Sequence, residues 1–428
     1  MSPSTVIKGG RVVDPGQGID GPHDVLLDEN GIIEVAGRID APGGAVEIDA
    51  SGMIVTPGLI DVHVHLREPG GEHRETIETG ALAAVAGGFT AICAMPNTDP
   101  PVDDPATVGF VKAQGERVGA SRVYPVGAIS VGLEGTQLAE VGEMVEAGAV
   151  AITDDGHPVM DSGLMRMALE YAQAFGIPVA DHPEDLGLSA EGVMNESVVS
   201  TRLGLRGKPN ASEDIHIVRD LLLAEFTGGR IHLQHISTAF GVEAIRQAKT
   251  RGVRVTAEAS PHHLLLTDEA VDGYVTDAKM NPPLRSAKDR AAVQEGLADG
   301  TLDMIATDHA PHHYDEKERA FDDAPFGIVG LETSLGLILT HVVAKGIIDL
   351  PTMVDRMSRA PAEAFSLPGG SLTPGSVADV TIIDPEAEWT VDREVFRSKS
   401  RNQPFDGWEL RGRALFTIVG GRIVFGGD

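Results

Sequence analysis

Eight apolar runs of strand length alternate with helical patterns between residues 59 and 308. Alternation of this kind predicts an α/β fold with a parallel sheet and right-handed crossovers, and eight units suggest a (β/α)8 TIM-type barrel. Short β-branched runs joined by Gly-Gly turns stand at both chain ends, which predicts a small β domain formed from both termini. The expected division is 1–57 for the N-terminal part of that domain, 58–366 for the barrel and 367–428 for its C-terminal part. A third observation favours a barrel over a doubly wound open sheet: no Gly-x-Gly-x-x-Gly follows the first central run to support dinucleotide binding.

Taken in order, Val6-Ile7 and Arg11-Val12-Val13 flank Gly9-Gly10, and Val25–Leu27 and Ile32–Val35 flank the Glu29-Asn30-Gly31 turn. Pro57-Gly58 punctuates the chain before Leu59-Ile60-Asp61-Val62-His63-Val64-His65-Leu66, a buried strand pattern. The central strands are expected at 59–66, 90–96, 122–129, 149–154, 178–182, 230–236, 253–259 and 303–308. Helical patterns fall between them at Ile77–Ala86, Leu164–Phe175, Ile215–Phe226, Ala239–Lys249 and Ala287–Leu297. The last strands are Val380–Ile383, Leu415–Val419 and, after Gly420-Gly421, Arg422–Phe425.

Composition narrows the function. The 428 residues carry a formal charge of −30, a poor match for nucleic acid or an anionic membrane, both of which need a basic face. An anionic substrate would therefore need local cationic groups acting against the global field. Cys93 is the single cysteine, which excludes an intrachain disulfide and a cysteine-based zinc site; its apolar neighbours mark it as a small buried hydrophobe. No charged segment leads into an apolar one at the N-terminus and no apolar run reaches about 18 residues, so a cytoplasmic protein is expected.

The polar residues fall in a pattern. His63 and His65 are two apart, so on a strand both imidazoles share a face. The fourth run ends in Asp154-Asp155, the fifth delivers Asp181-His182, the sixth His235, and the eighth Asp308-His309 and then His312. These are the C-terminal strand ends, where a barrel carries its active site. Four His and two Asp exceed the needs of one tetrahedral zinc and suit two metals with a bridging carboxylate, a centre that acidifies water and polarises a carbonyl.

Asp61-Val-His-Val-His-Leu-Arg-Glu-Pro69, Met95-Pro-Asn-Thr98, Asn281-Pro-Pro-Leu-Arg285 and Ala306-Thr-Asp-His-Ala-Pro-His312 together resemble the long bacterial dihydroorotases of the amidohydrolase superfamily. The likeness covers essentially the whole chain, although His-x-His alone marks only the superfamily. It implies one metal held by His63, His65 and Asp308 and a second by His182 and His235, with Asp155 bridging. Strand periodicity does not choose between Asp154 and Asp155; the spacing to His182 in that family favours Asp155. No lysine stands near this position, unlike the carboxylated-lysine bridge of many superfamily members. The implied cofactor is Zn2+, one or two per chain, with two expected.

The implied reaction is the reversible interconversion of N-carbamoyl-L-aspartate and (S)-dihydroorotate in pyrimidine biosynthesis. Opening a cyclic amide needs an attacking hydroxide, a stabilised oxyanion and a proton for the departing nitrogen. Asp308 is placed to carry that proton. The substrate carboxylate calls for a bidentate cation and amide donors, which Arg67 and Asn97 can supply. The resemblance adds His65, Asn281 and His312 to the substrate-binding set, and Phe326-Gly327 through backbone contacts. Residues 313–330, charged and glycine-containing, form a candidate lid. His262 and His263 are expected behind the metal ligands or in packing rather than as ligands, and His23, His73, His157, His216 and His341 at the surface. The family further implies a homodimer and association with aspartate transcarbamoylase. Alternatives are another cyclic amidohydrolase, an allantoinase or hydantoinase, and a non-catalytic scaffold homologue binding aspartate transcarbamoylase; the retained ligand set argues against the last.

Overall fold

The computed structural model describes residues 4–426; residues 1–3 and 427–428, the outermost ends of the expected terminal segments, lie outside the described residues. The N-terminal stretch forms β1 (Thr5–Asp14), β2 (Ile19–Asp28), β3 (Gly31–Ala36), β4 (Val46–Asp49) and β5 (Ile54–Pro57). The centre supplies β6 (Leu59–Val64), β7 (Phe89–Ala94), β8 (Arg122–Pro125), β9 (Val179–Asp181), β10 (Met194–Asn195), β11 (Gly207–Lys208), β12 (Ile231–Leu233), β13 (Val255–Ala259) and β14 (Met304–Ile305). The chain closes with β15 (Val380–Thr390), β16 (Glu409–Val419) and β17 (Arg422–Phe425).

The two chain ends build one sheet in the order β17-β16-β15-β5-β1-β2-β3, with β4 also pairing β1. The central join is β5 against β15, antiparallel, with Val55 opposite Ile382. Alternation along these strands sends Ile7, Val12, Val25, Val55, Val380, Ile382 and Ile418 into one buried apolar cluster, while neighbours such as Val6, Val13, Leu26, Ile54 and Ile383 are buried in other clusters.

Seven of the central strands form two parallel sheets, β6-β7-β8 and β9-β12-β13-β14, and β10 and β11 pair apart as a short parallel ladder. Parallel bridges Gly127–Ile152 and Ile152–Val179 link the sheets on one side, and Val64–His309 links them on the other. The strand expected at 149–154 is reduced to bridges centred on Ile152. Its backbone is still bonded on both sides, from Val150 N to Pro125 O (3.1 Å) and from Ala180 N to Ile152 O (2.8 Å). Asp154 ends it: the carboxylate accepts from Ile129 N, Ser130 N and the Ser130 hydroxyl, drawing the chain out of the ladder. Buried Ile60, Val62, Ala91, Cys93, Met304 and Phe365 pack together in one cluster.

Helices form at Ile77–Ala86, Ser162–Ala172, Asn210–Thr227, Ala239–Thr250 and Ala287–Asp299, close to the expected spans. Side-chain caps fix their starts: Thr76, Asp161, Thr238 and Ser286 each accept from backbone N–H groups of the first turn. No helix among the described residues is long and apolar enough to cross a membrane.

Candidate metal centre

Strand ends deliver the polar side chains to one place. His63 Nε2 lies 3.4 Å from Asp155 Oδ1 and 3.4 Å from Asp308 Oδ1. His65 Nε2 is 3.2 Å from Asp308 Oδ1 and 3.3 Å from Asp155 Oδ2. His182 Nδ1 approaches His235 Nε2 at 2.8 Å and Asp155 Oδ1 at 3.5 Å. All six groups are buried, none more than 5% exposed. His63 Nε2 and Asp155 Oδ1, 3.4 Å apart, are both buried with no hydrogen-bond partner, and His235 Nε2 lies 3.7 Å from the same Asp155 oxygen. Orphaned nitrogen and oxygen atoms in such a cluster are costly unless a cation meets them, so this donor set fits a divalent metal. His63, Asp155 and His235 form one group with the required proximity, and His63, His65 and Asp308 another.

Three of the four imidazoles are aimed from behind by an acceptor. His63 Nδ1 donates to Glu258 Oε1 at 2.5 Å, His65 Nδ1 to Asn97 Oδ1 at 2.8 Å, and His182 Nε2 to Glu184 Oε2 at 3.1 Å. The outward bond fixes the tautomer and leaves the other nitrogen free to face the centre. Glu258 also accepts from His232 Nε2 (2.9 Å) and from the His235 backbone (3.1 Å), which ties two strands to one carboxylate. Burial alone would push the Asp155 carboxyl up, but His63, His182 and His235 hold it well below the usual carboxylate range. Asp308 behaves alike: burial opposes its charge, and His63, His65 and His235 together keep its pKa below normal. Backbone strain gathers here too. Of seven described non-glycine residues with positive φ, three are Arg67 (61°), His235 (33°) and Asp308 (48°).

A cleft of about 310 Å³ opens over the cluster, lined by every candidate residue except His63, which lies beneath it. Arg67 donates from Nε to Pro311 O (3.1 Å), and its Nη2 meets His312 Nε2 at 3.3 Å; burial pulls its pKa down to about 10, still a cation at neutral pH. Glu68 is no partner for it, accepting instead from Ile77 N. Asn97 also reaches Asp155 O (3.2 Å), and Asn281 engages Glu184 and Lys208. Gly327 (φ 153°) must be glycine, since a Cβ would come within 2.5 Å of Ala310 O and 2.7 Å of His312.

Residues 321–327 are held down rather than free. Lys279 Nζ caps Phe321 O (2.6 Å), Lys317 Nζ caps Pro325 O (3.0 Å) and Gly327 O (3.2 Å), and Asn402 Nδ2 reaches Gly327 O (2.9 Å). No local pattern in the sequence marks Glu258, Glu184, Lys208 or Lys279, and Lys317 stands out there only as part of a charged run. His216, expected at the surface, is instead 2% exposed, and its Nδ1 faces Asp181 Oδ2 at 3.3 Å. His157 is exposed as expected, yet lines the cleft.

The architecture is that of cyclic-amide hydrolases. It superposes on an L-hydantoinase (dihydropyrimidinase) from Arthrobacter aurescens with a TM-score of 0.88, at 28% identity over 99% of this chain and 96% of that one. A dihydropyrimidinase from Brevibacillus agri gives 0.84 at 23% identity, covering 99% and 95%. Sequence likeness is more specific. Residues 52–240 match the dihydro-orotase-like family model. The dihydroorotases of Geobacter metallireducens (54% identical, 98% of this chain, 99% of theirs) and Anaeromyxobacter sp. strain K (55%, 99% and 98%) align over nearly their full lengths. The chain belongs to the dihydroorotase family.

Proposed function

We infer that this enzyme interconverts N-carbamoyl-L-aspartate and (S)-dihydroorotate for pyrimidine biosynthesis. The observation that carries the reading is the meeting of four imidazoles, two carboxylates and Arg67 around one small cleft, in a chain over half identical to dihydroorotases. The central strands are read as a closed (β/α)8 barrel (residues 58–366), with 1–57 and 367–428 forming a separate small β domain. In support, the bridges at Ile152 and His309 join the two parallel sheets into a circuit.

Zinc is the proposed metal, two per chain, with His63, His65 and Asp308 as one ligand set, His182 and His235 as the other, and Asp155 between. When bound it supplies an acidified water and a polarised carbonyl. The chain's own residues do the rest. Arg67, with His312 beside it, binds the substrate carboxylate, and Asn97, Asn281 and the Phe326–Gly327 backbone orient the ring over His65. A C–O bond forms as the ring C–N bond breaks. Asp308 takes the proton of the attacking water and gives it to the leaving nitrogen; in ring closure it returns the proton the other way. The proposed setting is a cytoplasmic homodimer able to associate with aspartate transcarbamoylase.

The likeness to hydantoinases gives a second reading, hydrolysis of another cyclic amide. Turnover of dihydroorotate, hydantoin and allantoin by the same metal-analysed preparation separates them. Dihydroorotate is expected to be the preferred substrate, with activity lost on chelation and regained with zinc. Preference for hydantoin would overturn the assignment.

A further inference from the structure

Behind His182 lies a buried charge pair with no part in the reaction as described above. Glu184 Oε2 accepts from His182 Nε2 at 3.1 Å, and its Oε1 accepts from Lys208 Nζ at 2.6 Å. Both side chains are only 8% exposed. Asn281 closes a ring with them: its Nδ2 donates to Glu184 Oε2 (2.8 Å) and lies 3.1 Å from His182 Nε2, and its Oδ1 accepts from Lys208 Nζ (2.8 Å). The Lys208 ammonium also sits 4.7 Å from the centroid of the Phe326 ring. Lys208 comes from β11, a two-residue strand paired with β10. A buried carboxylate and ammonium persist only when paired and hydrogen-bonded, so the four polar groups share one low-energy arrangement.

We propose that Glu184 and Lys208 are positioning residues: Glu184 sets the His182 ring with Nδ1 toward Asp155 and His235, and Lys208 locks Asn281 and the Phe326 wall to that setting. The inference rests on the reading in which His182 holds metal and Asn281 meets substrate. It gives the two residues different leading signatures, because Glu184 bonds the imidazole directly whereas Lys208 bonds the carbonyl of the substrate-binding amide, whose Nδ2 alone faces His182.

Glu184→Gln removes the charge that makes the imidazole a strong donor and lets the amide turn either way. Zinc affinity, measured by competition with a chromogenic chelator without substrate, is expected to fall roughly 10–100-fold. Lys208→Met keeps the stem and frees the Asn281 carbonyl. The KM for dihydroorotate should rise about tenfold with kcat within about threefold, the mark of lost binding common to ground and transition states. Should either single variant unfold early from its unpaired buried charge, Glu184→Gln/Lys208→Met leaves no such charge and must show both losses. Native zinc affinity in the Gln variant, or in the double variant, overturns the role of Glu184; an unchanged KM overturns that of Lys208. Wild-type protein that binds zinc but leaves dihydroorotate intact refutes the reaction instead. The substrate-free zinc measurement still decides Glu184, and KM on whichever cyclic amide is turned over decides Lys208.

Discussion

Asp154 and Asp155 are adjacent in sequence, yet their carboxylates meet different partners. Asp154 receives two backbone N–H groups and a hydroxyl, whereas Asp155 leaves one oxygen bare among three imidazoles. Asp155→Ala is therefore expected to lose bound zinc while melting normally. Asp154→Ala should keep most of its zinc and lose about 3 kcal/mol of stability from the buried donors it strands. Metal analysis beside thermal unfolding checks the pair, and the reverse ranking in bound metal would reassign the bridge. Asp308→Asn keeps a coordinating oxygen but accepts no proton; kcat should drop about 10²–10⁴-fold in both directions with metal content matched. Near-native rates would leave Asp308 a ligand only. At this scale the site was legible where chemistry follows strand spacing, as in His63-x-His65, and where a polar residue ends an apolar run. Glu258 and Glu184 were not, because a carboxylate aimed at an imidazole far off in sequence gives no local signal among 64 acidic residues.

The helix Asn210–Thr227 shows how an element can be found and its buried face still misread. Its inward residues include Ser212, Glu213, His216 and Asp220 beside Ile217, Leu221 and Ala224, at helical spacing. Counting only apolar residues hides that stripe, and His216 then reads as surface. The segment 313–330 was legible as a covering element by its position after the last central strand, but not the means of its attachment. Those means are buried lysines capping backbone carbonyls, and they predict a pH effect. Burial pulls Lys317 down from the ordinary lysine value of 10.5 to about 7, so between those pH values the unfolded chain binds the extra proton. Stability must then rise with pH across that window, by about 1.4 kcal/mol per unit from this group. Lys317→Met should flatten the rise in denaturant titrations run from pH 7 to 9.5. Equal slopes for both proteins would count against a buried, strained ammonium.

Over the whole molecule, the last sixty residues matter to the cleft as well as to the terminal sheet. Asn402, 3% exposed, receives the His312 N–H and donates to Ala310 O and Gly327 O, bracing the wall from outside. Asn402→Ala should raise KM severalfold and cost about 2 kcal/mol; steady-state kinetics with a melting curve checks both, and an unchanged KM would make the brace purely structural. The terminal sheet itself was legible from the β-branched runs at the two ends and from the Gly420-Gly421 turn, whereas Gly9-Gly10 is no turn: it lies inside β1 at a bulge, so Val6-Ile7 and Arg11–Val13 belong to one strand. The strand order of the sheet was not legible, since that depends on which edges meet across the intervening chain. The order has a consequence for synthesis. β5 finds its outer neighbour in β15, and Thr56 bonds Thr381 across 325 positions of sequence. At roughly 5–20 residues per second on the ribosome, β5 waits on the order of 15–65 seconds with one edge bare. A nascent chain stalled in that interval presents an unpaired strand edge, the kind of surface that aggregates or recruits a chaperone.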